Sequence, residues 1–172
     1  MGLANCLTIE LPRYLPGGTL VAQKPRVMRI YTDICTLCRQ FDDQSQPRIW
    51  LETHALCVLL HLVEMGQLEM VRSPIHDLEN ARNSKELRRL WVGQCLSLAI
   101  HHVPLSPTIK QRALILESLG GGALDALHSA CAEAAGCTHL LTCDDRFRKR
   151  YTGPITVLNP ADFVVTYFQQ TP

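Results

Sequence analysis

The sequence predicts an α/β fold: a mostly parallel sheet covered by helices on both faces. Three observations predict it. From Arg29 onward, short β-branched or aromatic runs alternate with longer stretches whose apolar residues recur at i, i+3, i+4 and i+7. Gly66, Pro74, Pro107, Gly136 and Pro160 stand at the boundaries of these segments. At 172 residues and 19.3 kDa the chain has the length of one domain able to bury its own core.

The elements follow in order. Residues 1–27 hold Pro12, Pro16-Gly17-Gly18 and Pro25 and read as an irregular extension. Met28 is an alternative start, and residues 28–172 form the domain proper. Arg29 to Asp33 reads as a strand, and residues 48–65 as a long helix with Leu56, Leu59, Leu60 and Val63 inward, ended by Gly66. Leu68 to Arg72 is a second strand. Pro74 opens a short helix carrying Asp77 and Glu79. Asn83-Ser84-Lys85-Glu86 has capping-box spacing, and Leu87, Leu90, Trp91, Cys95 and Leu98 continue as an apolar stripe. Residues 101–105 form a short strand. Ser106-Pro107 caps a helix with Ile109, Ala113 and Leu116 buried, closed by Gly120-Gly121-Gly122. Residues 123–135 form a helix with Leu124, Leu127, His128, Cys131 and Ala135 on one face, stopped by Gly136. Thr138 to Thr142 is a strand, 144–150 a helical turn, Ile155 to Leu158 a last strand, and Asn159-Pro160 starts the terminal helix. Crossovers between parallel strands are expected to be right-handed.

Composition narrows the function. Hydrophobic residues make up 47 % and charged residues 19 %, which excludes a disordered chain and suggests surface covered by a partner. A net charge of +1 removes any global pull toward nucleic acid or anionic lipid, so such contacts must be local. The longest apolar run, Ala55 to Leu60, is far short of a membrane span. No basic start precedes an apolar stretch at the N-terminus, which predicts no secretory signal and a cytoplasmic location. The eight cysteines then read as reduced thiols, with Cys57, Cys95 and Cys131 as small hydrophobes within helices. Cys35-Thr36-Leu37-Cys38 is the one CxxC; without a well-spaced second pair it makes a poor zinc site.

The acids carry the chemistry. Asp33 closes the first strand and Asp144 lies just past the strand 138–142. Ligands of open α/β sheets bind outside the carboxyl ends of strands where the strand order reverses, so two acids at two such ends can face one crevice. Asp125, in the first turn of a helix, is the only charge between Glu117 and Glu133. A helix N-terminus alone also favours a carboxylate there, by less than about 1 kcal/mol. Glu79 is the fourth candidate, with Asp77 competing for its role. Clustered carboxylates suit Mg²⁺ or Mn²⁺, hard ions that prefer oxygen and keep several waters. Converging acids repel without metal, so at least one carboxylate pKa should be raised. The histidines lack HxxxH and HExxH spacing, and the glycine triplet lacks the Gly-Lys-Ser/Thr of a phosphate loop.

Four segments resemble one family. Tyr31-Thr32-Asp33-Ile34-Cys35-Thr36-Leu37-Cys38-Arg39-Gln40-Phe41-Asp42-Asp43 is similar to the first motif of PIN-domain proteins, especially the VapC-like toxin branch of bacterial toxin–antitoxin pairs. Gly120 with Ala123-Leu124-Asp125-Ala126-Leu127-His128 resembles the third-acid motif, and Leu140 to Phe147 the fourth. Val157 to Phe163 resembles the usual ending of the family. The resemblance covers about Met28 to Phe163. It implies a three-layer α/β/α sandwich and a metal-dependent ribonuclease, with the acids carried over onto Asp33, Glu79, Asp125 and Asp144. Asp33, Asp125 and Asp144 would hold Mg²⁺ or Mn²⁺, with Glu79 helping through water. Thr142 would orient a carboxylate or water, and Asp145 would be an extra ligand. Arg82, Arg146 and Arg148 are the candidate RNA contacts within two basic groups, Arg82 to Arg89 and Arg146 to Arg150. An RNA substrate, an antitoxin and a homodimer are the implied partners. The first motif departs from the family at Ile34-Cys35-Thr36, where Asn or Ser is usual, and the second motif is loose. The rival expectation is a PIN-like binding module that no longer cuts.

Overall fold

The structure, a computed structural model, describes residues 27–170. The expected N-terminal extension lies outside the described residues except for Val27. Five strands form one sheet: β1 Met28–Thr32, β2 Leu68–Arg72, β3 His101–His102, β4 His139–Leu141 and β5 Thr156–Leu158. Their order is β3-β2-β1-β4-β5, and every neighbouring pair is parallel. The helices are α1 Ile34–Leu37, α2 Pro47–Glu64, α3 Pro74–Ala81, α4 Glu86–Ser97, α5 Pro107–Ser118, α6 Ala123–Ala134, α7 Asp145–Arg150 and α8 Pro160–Gln170. A 3₁₀ turn, Arg39–Phe41, joins α1 to the loop before α2.

The strands bury both faces, as their short apolar runs require. Tyr31, Val71 and Leu140 point to one side, where Ile109, Ala113 and Leu116 of α5 and Ala126, Ala130 and Cys131 of α6 cover them. Ile30, Met70 and Leu141 point to the other, against Leu59 and Leu62 of α2 and Phe163 of α8. A third cluster joins α1, α2 and α4 through Leu37, Leu56, Val92 and Leu96. The result is the expected three-layer α/β/α sandwich.

Local chemistry sets most boundaries. Gly66 and Gly136 take φ of 68° and 66° just past α2 and α6, a left-handed conformation that glycine adopts without strain. Ser106 Oγ accepts the Ile109 N–H at 3.2 Å and caps α5.

Four expectations need correction. The capping box at Asn83 does not form: α4 begins at Glu86 with Lys85 as its cap residue. Asn83 instead donates weakly to Cys38 Sγ at 3.7 Å. The stripe on α4 is also turned, because Val92, Cys95 and Leu96 are buried while Leu87 and Leu90 are 69 % and 60 % exposed. Cys57 is exposed, whereas Cys95 and Cys131 are buried. The strand expected over 101–105 is only two residues long, since Val103 donates to Arg72 O and the chain then leaves the sheet edge.

Candidate active site

Strand order reverses between β1 and β4: β1 leads to β2 on one side, and β4 and β5 lie on the other. A crevice at their carboxyl ends is the expected ligand position for such a sheet. Asp33 and Asp144 both stand there for the same local reason. Each follows or nearly follows a strand and caps the helix that leaves it. Asp33 Oδ1 accepts from Cys35 N at 2.5 Å and Thr36 N at 3.4 Å, starting α1. Asp144 Oδ1 accepts from Arg146 N at 2.7 Å and Phe147 N at 3.3 Å, starting α7.

Thr142 joins them. Its buried hydroxyl donates to Asp33 Oδ2 at 2.7 Å and accepts the Asp144 N–H at 3.0 Å. The strands support this link, because Asp33 N also donates to Leu141 O at 3.0 Å. Thr142 thus bridges the Asp33 carboxylate and the Asp144 backbone.

Asp125 stands in the first turn of α6. Burial pushes its carboxyl pKa up, and the charges of Asp33, Asp144 and Glu79 push it further, against a pull downward from His128. The four acids thus share one electrostatic field. Glu79 on α3 faces the site and pairs with His128 Nε2 at 2.8 Å. Asp77 points away, exposed and bound to Arg72.

Other expected residues have different occupations. Asp145 is gripped by Arg48 of α2, Nη1 at 2.6 Å and Nη2 at 2.8 Å, and lies 3.5 Å from Arg148. Arg148 pairs with Asp162 at 3.1 Å. Arg146 is 81 % exposed over Asp144, and Arg82 is exposed at the end of α3. A cavity of about 380 Å³ beside Asp144 is lined by Cys35, Arg39, Cys143, Asp145 and Arg146. A larger one, about 560 Å³, lies beyond Asp145 among Arg48, Glu52, Arg148 and Asp162 and does not touch the acid cluster.

The donor set is carboxylate oxygen, which matches hard divalent ions. Among the described residues no three His, Cys, Asp or Glu side chains stand close enough to hold one ion together. An ion such as Mg²⁺, which takes one or two carboxylates and keeps its waters, fits that spacing better than one needing a full protein cage.

Three functional-looking residues escaped the sequence reading. His128 and His76 are buried beside the site, and Glu52 is a buried carboxylate held by Arg39 at 2.5 Å, Arg48 at 2.8 Å and Asn159 at 2.5 Å. The signal for His128 was its place three residues after Asp125, which puts both on one helix face. Nothing comparable marked Glu52 or His76.

The PIN domain family model matches residues 40–152, and the chain belongs to that family. PIN domains are typically nucleases and generally use divalent metal ions. Among solved structures, one similar chain comes from VapBC2 of Rickettsia felis, bound to a DNA fragment from their promoter. The TM-score is 0.50 at 15 % identity, covering 77 % of this chain and 98 % of that one. FitAB bound to the IR36 DNA fragment gives a TM-score of 0.47 at 15 % identity, covering 77 % and 95 %. A comparison with curated proteins finds no match. No helix among the described residues is long and apolar enough to cross a membrane.

Proposed function

We propose that this chain is a Mg²⁺- or Mn²⁺-dependent endoribonuclease, the toxin of a toxin–antitoxin pair, acting in the cytoplasm. The observation that carries the reading is the Asp33–Thr142–Asp144 link at the carboxyl ends of β1 and β4, in a chain that belongs to the PIN domain family. Asp33, Asp125 and Asp144 would hold the ion between them, one or two directly and the rest through its waters, with Glu79 also acting through water. When bound, such an ion makes water nucleophilic at neutral pH and offsets the charge of the phosphodiester.

The protein's own groups do the rest. Thr142 fixes the Asp33 carboxylate and the Asp144 backbone in one geometry. Asp145 serves as an anchor for Arg48 in place of the extra ligand role. Arg146, free to swing, and Arg82 supply phosphate contacts at either side of the acids. Arg148 contributes only when released from Asp162. The exposed apolar residues of α4 and α5, including Leu87, Leu90, Leu114 and Ile115, suit a homodimer contact and an antitoxin segment. Light scattering at micromolar concentration should then give twice 19.3 kDa.

The test is cleavage of a labelled oligoribonucleotide in Mn²⁺, in Mg²⁺ and in EDTA. Cleavage should require the ion and fall by about 10²-fold or more in Asp125→Asn, while Glu117→Gln, on the exposed end of α5, should match wild type. The rival reading, an inert binding module, draws on the loose spacing of the acids. It predicts no saturable Mn²⁺ binding by calorimetry and no cleavage.

A further inference from the structure

We propose that His128 and Tyr31 are positioning residues that hold Glu79 in the acid cluster and tie it to the strand carrying Asp33. The inference rests on the nuclease reading, and it commits the second acid to Glu79.

The basis is a hydrogen-bond chain, buried from His128 to Thr32 and partly exposed at Glu79. Glu79 Oε2 meets His128 Nε2 at 2.8 Å, and His128 Nδ1 meets the Tyr31 hydroxyl at 2.8 Å. Tyr31 meets Ser73 Oγ at 2.6 Å. The Ser73 N–H donates to His76 Nδ1 at 3.1 Å, and His76 Nε2 donates to Thr32 O at 2.7 Å. The chain starts on one candidate acid and ends on the carbonyl one residue before another.

Proton directions follow from the partners. Glu79 as a carboxylate only accepts, so His128 Nε2 carries a proton toward it. His76 Nδ1 receives the Ser73 N–H, so its proton sits on Nε2 and goes to Thr32. The rings are held as well: Tyr31 stacks on His76 at 4.5 Å and meets His128 edge-on at 5.6 Å.

This chain addresses a specific geometric problem. Asp33 leaves β1, whereas Glu79 rides on α3, which follows β2. A glutamate on a helix has three rotatable bonds, and its Glu79 side chain is 32 % exposed. Without an anchor it would sample solvent. His128, only 3 % exposed, supplies that anchor from α6, the helix that also carries Asp125.

The test uses full-length protein and an oligoribonucleotide with Mn²⁺. His128→Leu should lower kcat by about 10–100-fold with KM within about twofold, the size expected when a support behind a site is removed. His128→Gln, whose amide can still donate to Glu79, should recover most of the loss. In a Glu79→Gln background, His128→Leu should cost nothing further. If His128→Leu fails to fold, Tyr31→Phe replaces it in the same cycle. Equal losses with and without Glu79, or no recovery by His128→Gln, overturn the inference. A second readout needs no activity: the His128 ring Nε2 resonance in ¹⁵N NMR should move in Glu79→Gln and stay in Asp77→Asn. A wild type that cuts no RNA, with that resonance responding to Glu79, overturns the nuclease reading and leaves the His128–Glu79 anchor standing. A resonance indifferent to Glu79 overturns the anchor itself.

Discussion

Asp125 is the residue at which the repulsion of the acid cluster can be measured. Its folded pKa is raised, by burial first and then by Asp33 and Asp144. A carboxylate whose folded pKa lies above its unfolded value costs stability above that folded pKa. The cost fades as pH falls below the unfolded value, about 3.9. Asp125→Asn should therefore raise the melting temperature without metal at pH 7, and the gain should vanish near pH 3. Solvent screening limits the relief to about 1 kcal/mol, or about 2–4 °C, less a few tenths for the lost helix-terminus interaction. Calorimetric melts in EDTA at both pH values decide it. Asp33→Asn is a poorer probe. Asp33 accepts from Cys35 N, Thr36 N and the Thr142 hydroxyl, so an amide nitrogen facing Thr142 breaks the link while it relieves charge. At this scale the sequence revealed what lies at strand ends. Asp33 and Asp144 stood out by their places at strand ends, and Asp125 as the only charge between Glu117 and Glu133. His128 sat within an apolar stripe, where a histidine looks like packing, and its partner Glu79 lies 49 residues away.

Elements are held to each other by a second charge cluster whose pH response has the opposite sign. Glu52 of α2 is 1 % exposed and joins the Arg39 turn, Arg48 and Asn159 before α8. Burial pushes its carboxyl pKa up, but hydrogen bonds from Arg48, Arg39 and Asn159 outweigh it, and the pKa ends below its ordinary value. Stability from such a group is present above the unfolded pKa, about 4.3, and is lost as pH falls through the lowered folded value. Glu52→Gln should cost about 1–3 kcal/mol in urea unfolding at pH 7, because a buried carboxylate loses its charge-assisted bonds from the partly exposed Arg39 and Arg48. The gap to wild type should close below about pH 4. Boundaries of elements were legible where glycine, proline or a cap fixes them: β2 at Leu68–Arg72, α3 at Pro74 and α6 before Gly136. They were not where tertiary contacts choose the face. The α4 stripe turned because Trp91 Nε1 donates to Leu37 O at 2.8 Å and Val92 fills the pocket beside Leu56. Helix α1, four residues long, has no periodicity to read and exists because Asp33 caps it.

For the whole molecule, β1 is the organising strand, with β2 and β4 as its neighbours. Met28 already pairs with Leu68, so the sheet begins at the position proposed as the domain start. We propose that a chain beginning at Met28 melts within a few degrees of the full chain, and a larger fall would show that residues 1–27 support the domain. The alternation of strand and helix foretold a parallel sheet, but the order β3-β2-β1-β4-β5 was beyond it, because pairing is decided by contacts between distant segments.

The link between Asp33 and Thr142 spans 109 residues. On a ribosome adding about 5–20 residues per second, roughly 5–20 s separate the synthesis of those two residues. Throughout that interval Asp33 has no β4 beside it and the crevice has only one wall. A prematurely stopped chain ending before His139 lacks Thr142 and Asp144 altogether. Whatever the finished site does, it cannot begin until Thr142 and Asp144 have been made and β4 has paired with β1.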